Sequence, residues 1–321
     1  MQRKVFLILY IIIMTALLVI VYAIPKVTGA LTPTTVLKYG TLQITDEVKC
    51  YVVRSETVYL AGSSGSLNYY ISQDTQVRSG VKTLSIAKSA ELEKENPKFA
   101  EIASRLGEGA VMTADYAAAF NGCVSYFADG YETFFTPETM EGLSFKDVED
   151  ISAEQVNLTR GTARKGEPIY KICDNSLWFL TTWVDAGDIS KYEVGNNVTI
   201  CLPKASIAAK VYSMENEGDK WQVTFSTNRY YEDFSMMREV DVTVITADYS
   251  GIIVPNGCIT AEDGMPGVYV KNSTGDYVFK PIKIITSDGE KAIVKVSSFT
   301  GDDGKQVSTV EIYDEILKHP N

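Results

Sequence analysis

One short pattern is written twice in this chain. "TQVRSGVKTLSI" at residues 75–86 and "GTARKGEPIYKIC" at 161–173 each place an arginine two residues before a glycine, then alternate apolar residues. Each copy follows a segment of one kind, "GSLNYYISQD" from Gly65 and "GCVSYFADGY" from Gly122. A motif this short cannot bury its own apolar face, whereas two copies facing each other close a small sandwich. The pattern makes Arg78 equivalent to Arg164 and Gly80 to Gly166, with both glycines in turns and the strands after them opposed. The residues between the copies are then an excursion from one end, which the fold tolerates because loop-closure entropy grows only logarithmically with length. Two unrelated hairpins sharing Arg-x-Gly are the plainer alternative.

The rest of the chain from Thr41 reads as β-structure. Runs such as "VKCYVVRSETVYLA", "LWFLTTWV", "NVTICL", "WQVTFST" and "GVYVKNS" are rich in Val, Ile, Tyr, Phe and Thr. They recur every ~8–15 residues, the spacing of sandwiches and barrels. "MENEGDKW", "TSDGEK" and the "DDG" at 302–304 read as hairpin turns. Two stretches differ: 87–120 is rich in Ala, Glu, Lys and Leu, and 136–157 is acidic. Both predict short helices, with Ser89 capping a first one and Pro97 opening a second. Neither sustains a heptad, so no long coiled coil is encoded.

At the N-terminus "MQRK" precedes about twenty apolar residues without a charge, enough at ~1.5 Å per residue to span a ~30 Å hydrocarbon layer. Residues 5–24 are expected to lie in the lipid bilayer as a single-pass helix. Arg3 and Lys4 then stay in the cytoplasm and the bulk of the chain is extracytoplasmic. "VYA" and "TGA" are cleavage-type sites, so removal of the segment as a signal is the competing reading. No second stretch of that length follows, which excludes a channel.

The net charge of −11 is uninterrupted by any Lys/Arg cluster, which argues against nucleic acid as a partner. Cys50, Cys123, Cys173, Cys201 and Cys258 lie without close pairs in sequence. They fit neither a zinc site nor a redox CxxC and are expected as small buried core residues. Chain-wide, 19 tyrosines, with "NRYYEDF" at 228–234 and "SLWFLTTW" at 176–183, are expected mainly in cores and cross-strand pairs. Three Asn-x-Ser/Thr triplets, at Asn157, Asn197 and Asn272, decide nothing.

Two half-motifs split by a helical excursion resemble the lipoyl-like barrel-sandwich hybrid of membrane-fusion proteins, the HlyD-type periplasmic adaptors. "DNSLWFLTTWVDAGDISKYEVGNNVTICLP" at 174–203 resembles the passage from that domain into a β-barrel. "GIIVPNGCI" at 251–259 and "GMPGVYVKNSTGDYVFKPIKII" at 264–285 resemble the adaptor's membrane-proximal domain. The resemblance implies a mainly β protein in four parts. These are a cytoplasmic tip and transmembrane anchor at 1–30, a lipoyl-like hybrid at 31–182 with helical insertions at about 87–120 and 136–157, a β-barrel domain at 183–250 and a membrane-proximal-like β domain at 251–321. The excursion, with Pro97, Gly107 and Gly109 inside it, extends ~20 Å at most. It resembles the shortened form found in single-membrane bacteria, and it speaks against a tripartite pump.

Nothing in the chain spells catalysis. Its single histidine, His319, stands near the end of the chain, which removes His-based triads and imidazole zinc sites from the fold. Asp147, Glu149 and Asp150 read as a solvated helix face. The hairpin tips "YYISQDTQV" and "SYFADGYET" carry no lysine for a swinging cofactor, and Lys165 lies beside the half-motif glycine. No catalytic, cofactor-binding or metal residue is assigned, no cofactor is expected, and the protein is not read as an enzyme. The resemblance implies a membrane-anchored adaptor that docks on a transporter permease or its ATPase, assists export, and associates laterally as a homo-oligomer. A cell-envelope scaffold for division or wall assembly, keeping the fold without a pump, is the second reading.

Overall fold

The computed structural model describes residues 12–18, 33–88, 91–301 and 304–320. Residues 12–18 are helical. Most of the expected span at 5–24, and Ser89, lie outside the described residues. Among the described residues no helix is long and apolar enough to cross a membrane. The chain divides into two compact units, Thr45–Ala247 and a second that joins Met1–Ile44 to Asp248–Asn321.

Within Thr45–Ala247 the two copies of the pattern build one sandwich. Thr162–Ala163, Gly65–Tyr69 and Leu84–Ala87 form one sheet. Gln76–Val77, Gly122–Ser125, Pro168–Cys173 and Glu56–Ala61 form the other, with Val111–Thr113 added in parallel at its edge. Each Arg-x-Gly turn therefore crosses from one sheet to the other, in opposite senses. The halves match residue by residue: Val77, before Arg78, pairs with Gly122, and Ala163, before Arg164, pairs with Gly65.

The turns are built alike. Val81 N–H donates to Arg78 C=O and Glu167 N–H to Arg164 C=O, both at 3.1 Å. Gly80 and Gly166, with φ of 84° and 88°, sit where such a turn needs the left-handed region. Each glycine N–H then donates to an alanine of the other copy, Gly80 to Ala118 and Gly166 to Ala61, both at 2.8 Å. The strands that follow share one core, in which Leu84 meets Tyr170, Ile172, Leu67 and Val124. Tyr59 stacks on Tyr170 with centroids 4.5 Å apart.

The excursion is shorter than its composition predicts. Among its described residues only Pro97–Leu106 is α-helical, with Asn96 Oδ1 accepting from Lys98 N–H and Pro97 in the first turn. Residues 91–96 hold no helix, and Asn96 is extended, as expected of a residue before proline. Gly107 at φ 54° ends the helix. Phe99, Ile102 and Leu106, spaced along one face, pack on Val58, Ala128 and Leu158.

The acidic stretch does form short helices, Met140–Gly142 and Phe145–Val148. They belong to a strap whose Phe135, Met140, Leu143 and Val148 pack on Tyr51, Phe179 and Trp183. Gln222 Nε2 donates to Met140 and Leu143 carbonyls at 3.0 and 2.9 Å. Trp183 Nε1 and the Phe145 N–H both donate to Glu217.

Residues 33–53, expected in the sandwich, are elsewhere. The strand Lys38–Val53 begins in one unit and ends as a barrel stave in the other. The barrel runs Asn197–Cys201, Ser206–Asn216, Lys220–Thr227, Trp178–Asp185, Lys38–Val53, Glu239–Pro255 and back to Asn197–Cys201. This closes six strands around Val52, Leu180, Ile200, Val211, Phe225 and Val244. Closure leaves no free edge.

The other unit is a second β-assembly. Thr34–Val36 pairs with Glu315–Leu317, which neighbours Met265–Lys271 and, beyond it, Thr260–Glu262 and Tyr277–Pro281. Leu37, Ile252, Val254, Val268, Val294 and Ile316 fill its core. The five cysteines are free; four are buried and Cys201 is half-buried.

Candidate functional site

The unit Thr45–Ala247 encloses six ionisable side chains almost wholly shut off from water. The side chains of Arg54, Lys171 and Arg238 face those of Glu56, Asp129 and Glu132, each at most 1% exposed. Glu56, at the start of a sandwich strand, lies at the centre. Arg54 Nε and Lys171 Nζ each reach its Oε2 at 3.0 Å, and Arg238 holds Oε1. Arg238 Nε also donates to Asp129 Oδ2 at 2.9 Å, and Lys171 Nζ to Glu132 Oε1 at 3.1 Å.

The remaining donors and acceptors are met by backbone. Arg54 Nη1 donates to the carbonyls of Phe234 and Met237, both at 2.7 Å, and Nη2 to Ser235 at 3.1 Å. Arg238 Nη1 donates to the Val52 carbonyl at 3.0 Å. Glu132 accepts from the N–H groups of Asp129 and Gly130 at 3.0 and 2.9 Å. Three positive and three negative charges cancel, so the charges are buried as hydrogen-bonded pairs, the only form in which a core keeps them cheaply.

Burial by itself would raise the Glu56 carboxyl, but Arg238, Arg54 and Lys171 override it and hold it well below the usual carboxylate range. Asp129 follows the same course, raised by burial and lowered further by Arg238 and Lys171. Glu132 is pushed up by burial against the pull of Lys171, with Asp129 and Glu56 adding to the rise. Lys171, which burial would lower, is raised by Glu56 and Glu132. The arrangement leaves no cation or carboxylate idle for proton transfer. It ties together sandwich strands through Glu56 and Lys171, the strap through Asp129 and Glu132, and the barrel segments through Arg54 and Arg238.

The residues singled out in sequence take structural places. Asp147 forms a capping box with Ser144, and Glu149, Asp150, Lys165 and His319 are exposed. Among the described residues no group of three or more His, Cys, Asp or Glu is placed to hold a metal ion. Of the aromatic stretches, Trp178, Phe179, Trp183, Tyr231 and Phe234 are buried and Tyr230 is 75% exposed. The charge network itself escapes sequence reading, since its members are scattered from 54 to 238. The one local signal is a lysine inside the apolar strand "PIYKIC", all six residues of which are buried.

A split sandwich that feeds directly into a closed barrel, with the excursion between its half-motifs, is the architecture that the sequence resemblance to membrane-fusion proteins implies. The family model described as "RND related, barrel-sandwich hybrid domain" matches residues 56–174, and "RND related, beta-barrel domain" matches 178–248. Together they cover more than half of the chain, which belongs to the RND-related family they describe. Solved structures similar to it include ZneB from Cupriavidus metallidurans, at 12% identity, covering 90% of this chain and 93% of that one, with TM-score 0.32. MacA from Actinobacillus actinomycetemcomitans is 15% identical, with 90% and 100% covered and TM-score 0.39. The membrane fusion protein Spr0693 from Streptococcus pneumoniae R6 is 10% identical, with 64% and 98% covered and TM-score 0.30. No curated protein matches the sequence.

Proposed function

We propose that the protein is a single-pass, membrane-anchored extracytoplasmic adaptor that docks on a transporter and assists export by contact, without chemistry of its own. The observation that carries this is the split sandwich locked to a closed barrel by a satisfied, charge-balanced network. Such a body presents surfaces in fixed relation, and its buried charges are committed to one another. The anchor is residues 5–24, with the N-terminus in the cytoplasm.

The excursion favours a second reading. A ten-residue helix extends ~15 Å at 1.5 Å per residue, too short for a reach across a periplasm. A scaffold in division or wall assembly would keep the same body without a pump.

In-cell cross-linking of an affinity-tagged full chain, with mass spectrometry of membrane partners, separates the two. Enrichment of a permease or its ATPase is the expected result. Enrichment of division or wall-synthesis proteins with no transporter would overturn the adaptor and leave the scaffold.

A further inference from the structure

Cys123 and Cys173 are fifty positions apart in sequence and directly opposite each other across the antiparallel strands Gly122–Ser125 and Pro168–Cys173. Directly opposed residues put their side chains on one face of the sheet. Val124 spends its N–H and C=O on Thr75 and Asp74, and the Asp174 N–H goes to Ser55. The alternation therefore turns the backbone groups of Cys123 and Cys173 towards each other, making them a hydrogen-bonded pair. Cα atoms in such a pair are about 5.5 Å apart, inside the ~4.4–6.8 Å range of disulfides. At present the thiols are turned to different acceptors: Cys123 Sγ lies 3.8 Å from Asp74 Oδ1, and Cys173 Sγ lies 3.4 Å from Glu56 Oε2.

The fold does not require sulfur here. By the internal match of the two halves, the positions equivalent to Cys123 and Cys173 are Ser66 and Ala87, which pair in the same register in the other sheet. That sheet closes without a thiol. None of Cys50, Cys201 and Cys258 is paired in register with another cysteine. Cys123 also lines a cavity of about 10 Å³ with Asp74, Gln76, Asn175, Arg229 and Tyr230, room for about one water-sized molecule.

We propose that Cys123 and Cys173 are a redox-modifiable dithiol that closes to a cross-strand disulfide when an oxidant of near-water size, hydrogen peroxide, reaches the cavity. Cys123 loses its proton and attacks one peroxide oxygen, the O–O bond breaks, and Cys123 becomes a sulfenic acid while the leaving hydroxide takes up that proton as water. Cys173, deprotonated in turn, attacks the Cys123 sulfur, forms the Cys123–Cys173 bond and expels hydroxide, which is protonated to a second water. Two cysteine hydrogens and two electrons end on the peroxide, which becomes two waters. Closure removes the Cys173 contact with Glu56 and joins the two strands covalently.

Burial pushes each thiol up to about 12, so the reduced pair is unreactive at neutral pH towards reagents that cannot enter. The charges facing the pair are Asp74 and Arg54 at Cys123, and Lys171, Glu56 and Arg54 at Cys173.

The test uses the full chain in detergent micelles, reduced, then treated with hydrogen peroxide, alkylated and analysed by mass spectrometry. The expected product has lost two hydrogens, and digestion yields one cross-linked peptide pair containing Cys123 and Cys173. A C50S/C201S/C258S variant, which leaves the pair alone, gives the same product, and C173S gives only a sulfenic acid at Cys123, trapped by dimedone. Full alkylation of both residues after oxidation, or cross-links that instead join Cys201 to another chain, would overturn the proposal.

Discussion

Gly65 and Gly122 occupy equivalent places in the two halves, and neither has room for a side chain. A Cβ at Gly65 would stand 2.0 Å from the Ala87 carbonyl oxygen, and one at Gly122 would stand 2.5 Å from that of Cys173. Gly65→Ala and Gly122→Ala should each cost several-fold more stability than Gly80→Ala or Gly166→Ala. The latter two meet no atom within 4 Å and bear only the positive-φ penalty of about 1–2 kcal/mol. Urea unfolding midpoints of the four variants rank them.

In the charge network, Lys171→Met leaves Glu56 and Glu132 short of a partner in a dry site, so a loss of about 3–5 kcal/mol is expected from the same measurement. Glu56 and Asp129 have depressed folded values, so their stabilisation is complete above the unfolded carboxylate values near ~4 and is lost as pH falls through the folded ones. Glu132, raised, works the other way and offsets part of that loss. The unfolding midpoint should drop on acidification below about pH 4, and Glu56→Gln should flatten the profile while lowering it at pH 7. A wild-type midpoint unchanged down to pH 2 would contradict the network's role.

At the scale of elements the strap is the decisive addition to the sandwich. Its Phe135 stacks on Tyr51 at 5.3 Å and, with Met140 and Leu143, covers Phe179 and Trp183. Phe135→Ala should cost about 3–5 kcal/mol, since a large aromatic leaves a cavity the barrel cannot collapse into. Tryptophan emission should shift to longer wavelength as Trp183 becomes wet.

Much of this level is legible in sequence. The two Arg-x-Gly turns, the hairpin glycines Gly218 and Gly289, and the Pro97 helix start all rest on local backbone chemistry. The strap's packing is not legible. Acidic residues dominate its composition, and although Met140, Leu143 and Val148 fit one helix face by spacing, they are divided between two short helices and the link that joins them. The Val111–Thr113 strand is likewise set by an edge it finds in the other half of the chain, not by its own run of three residues.

At the scale of the whole molecule the prediction is topological. Alkaline phosphatase fused after residue 321 should be active in cells if the segment at 5–24 anchors the chain and the remainder lies outside. Inactivity with intact fusion protein would place the body in the cytoplasm and remove the adaptor proposal with it. The family membership rests on residues 56–174 and 178–248, and the partner is left to the cross-linking experiment.

The sequence by itself determined the β-class, the duplication and the equivalence of Gly80 with Gly166, because periodicity and turn chemistry act over a few residues. Only the tertiary structure decided that each turn crosses between sheets, that residues 33–53 leave the sandwich for the barrel and the other unit, and that Cys123 meets Cys173. It also assembled Arg54, Glu56, Asp129, Glu132, Lys171 and Arg238 around one point. The reason is physical: a buried charge is tolerable only where opposite charges from distant strands arrive with it, and that arrival belongs to chain topology, not to local pattern.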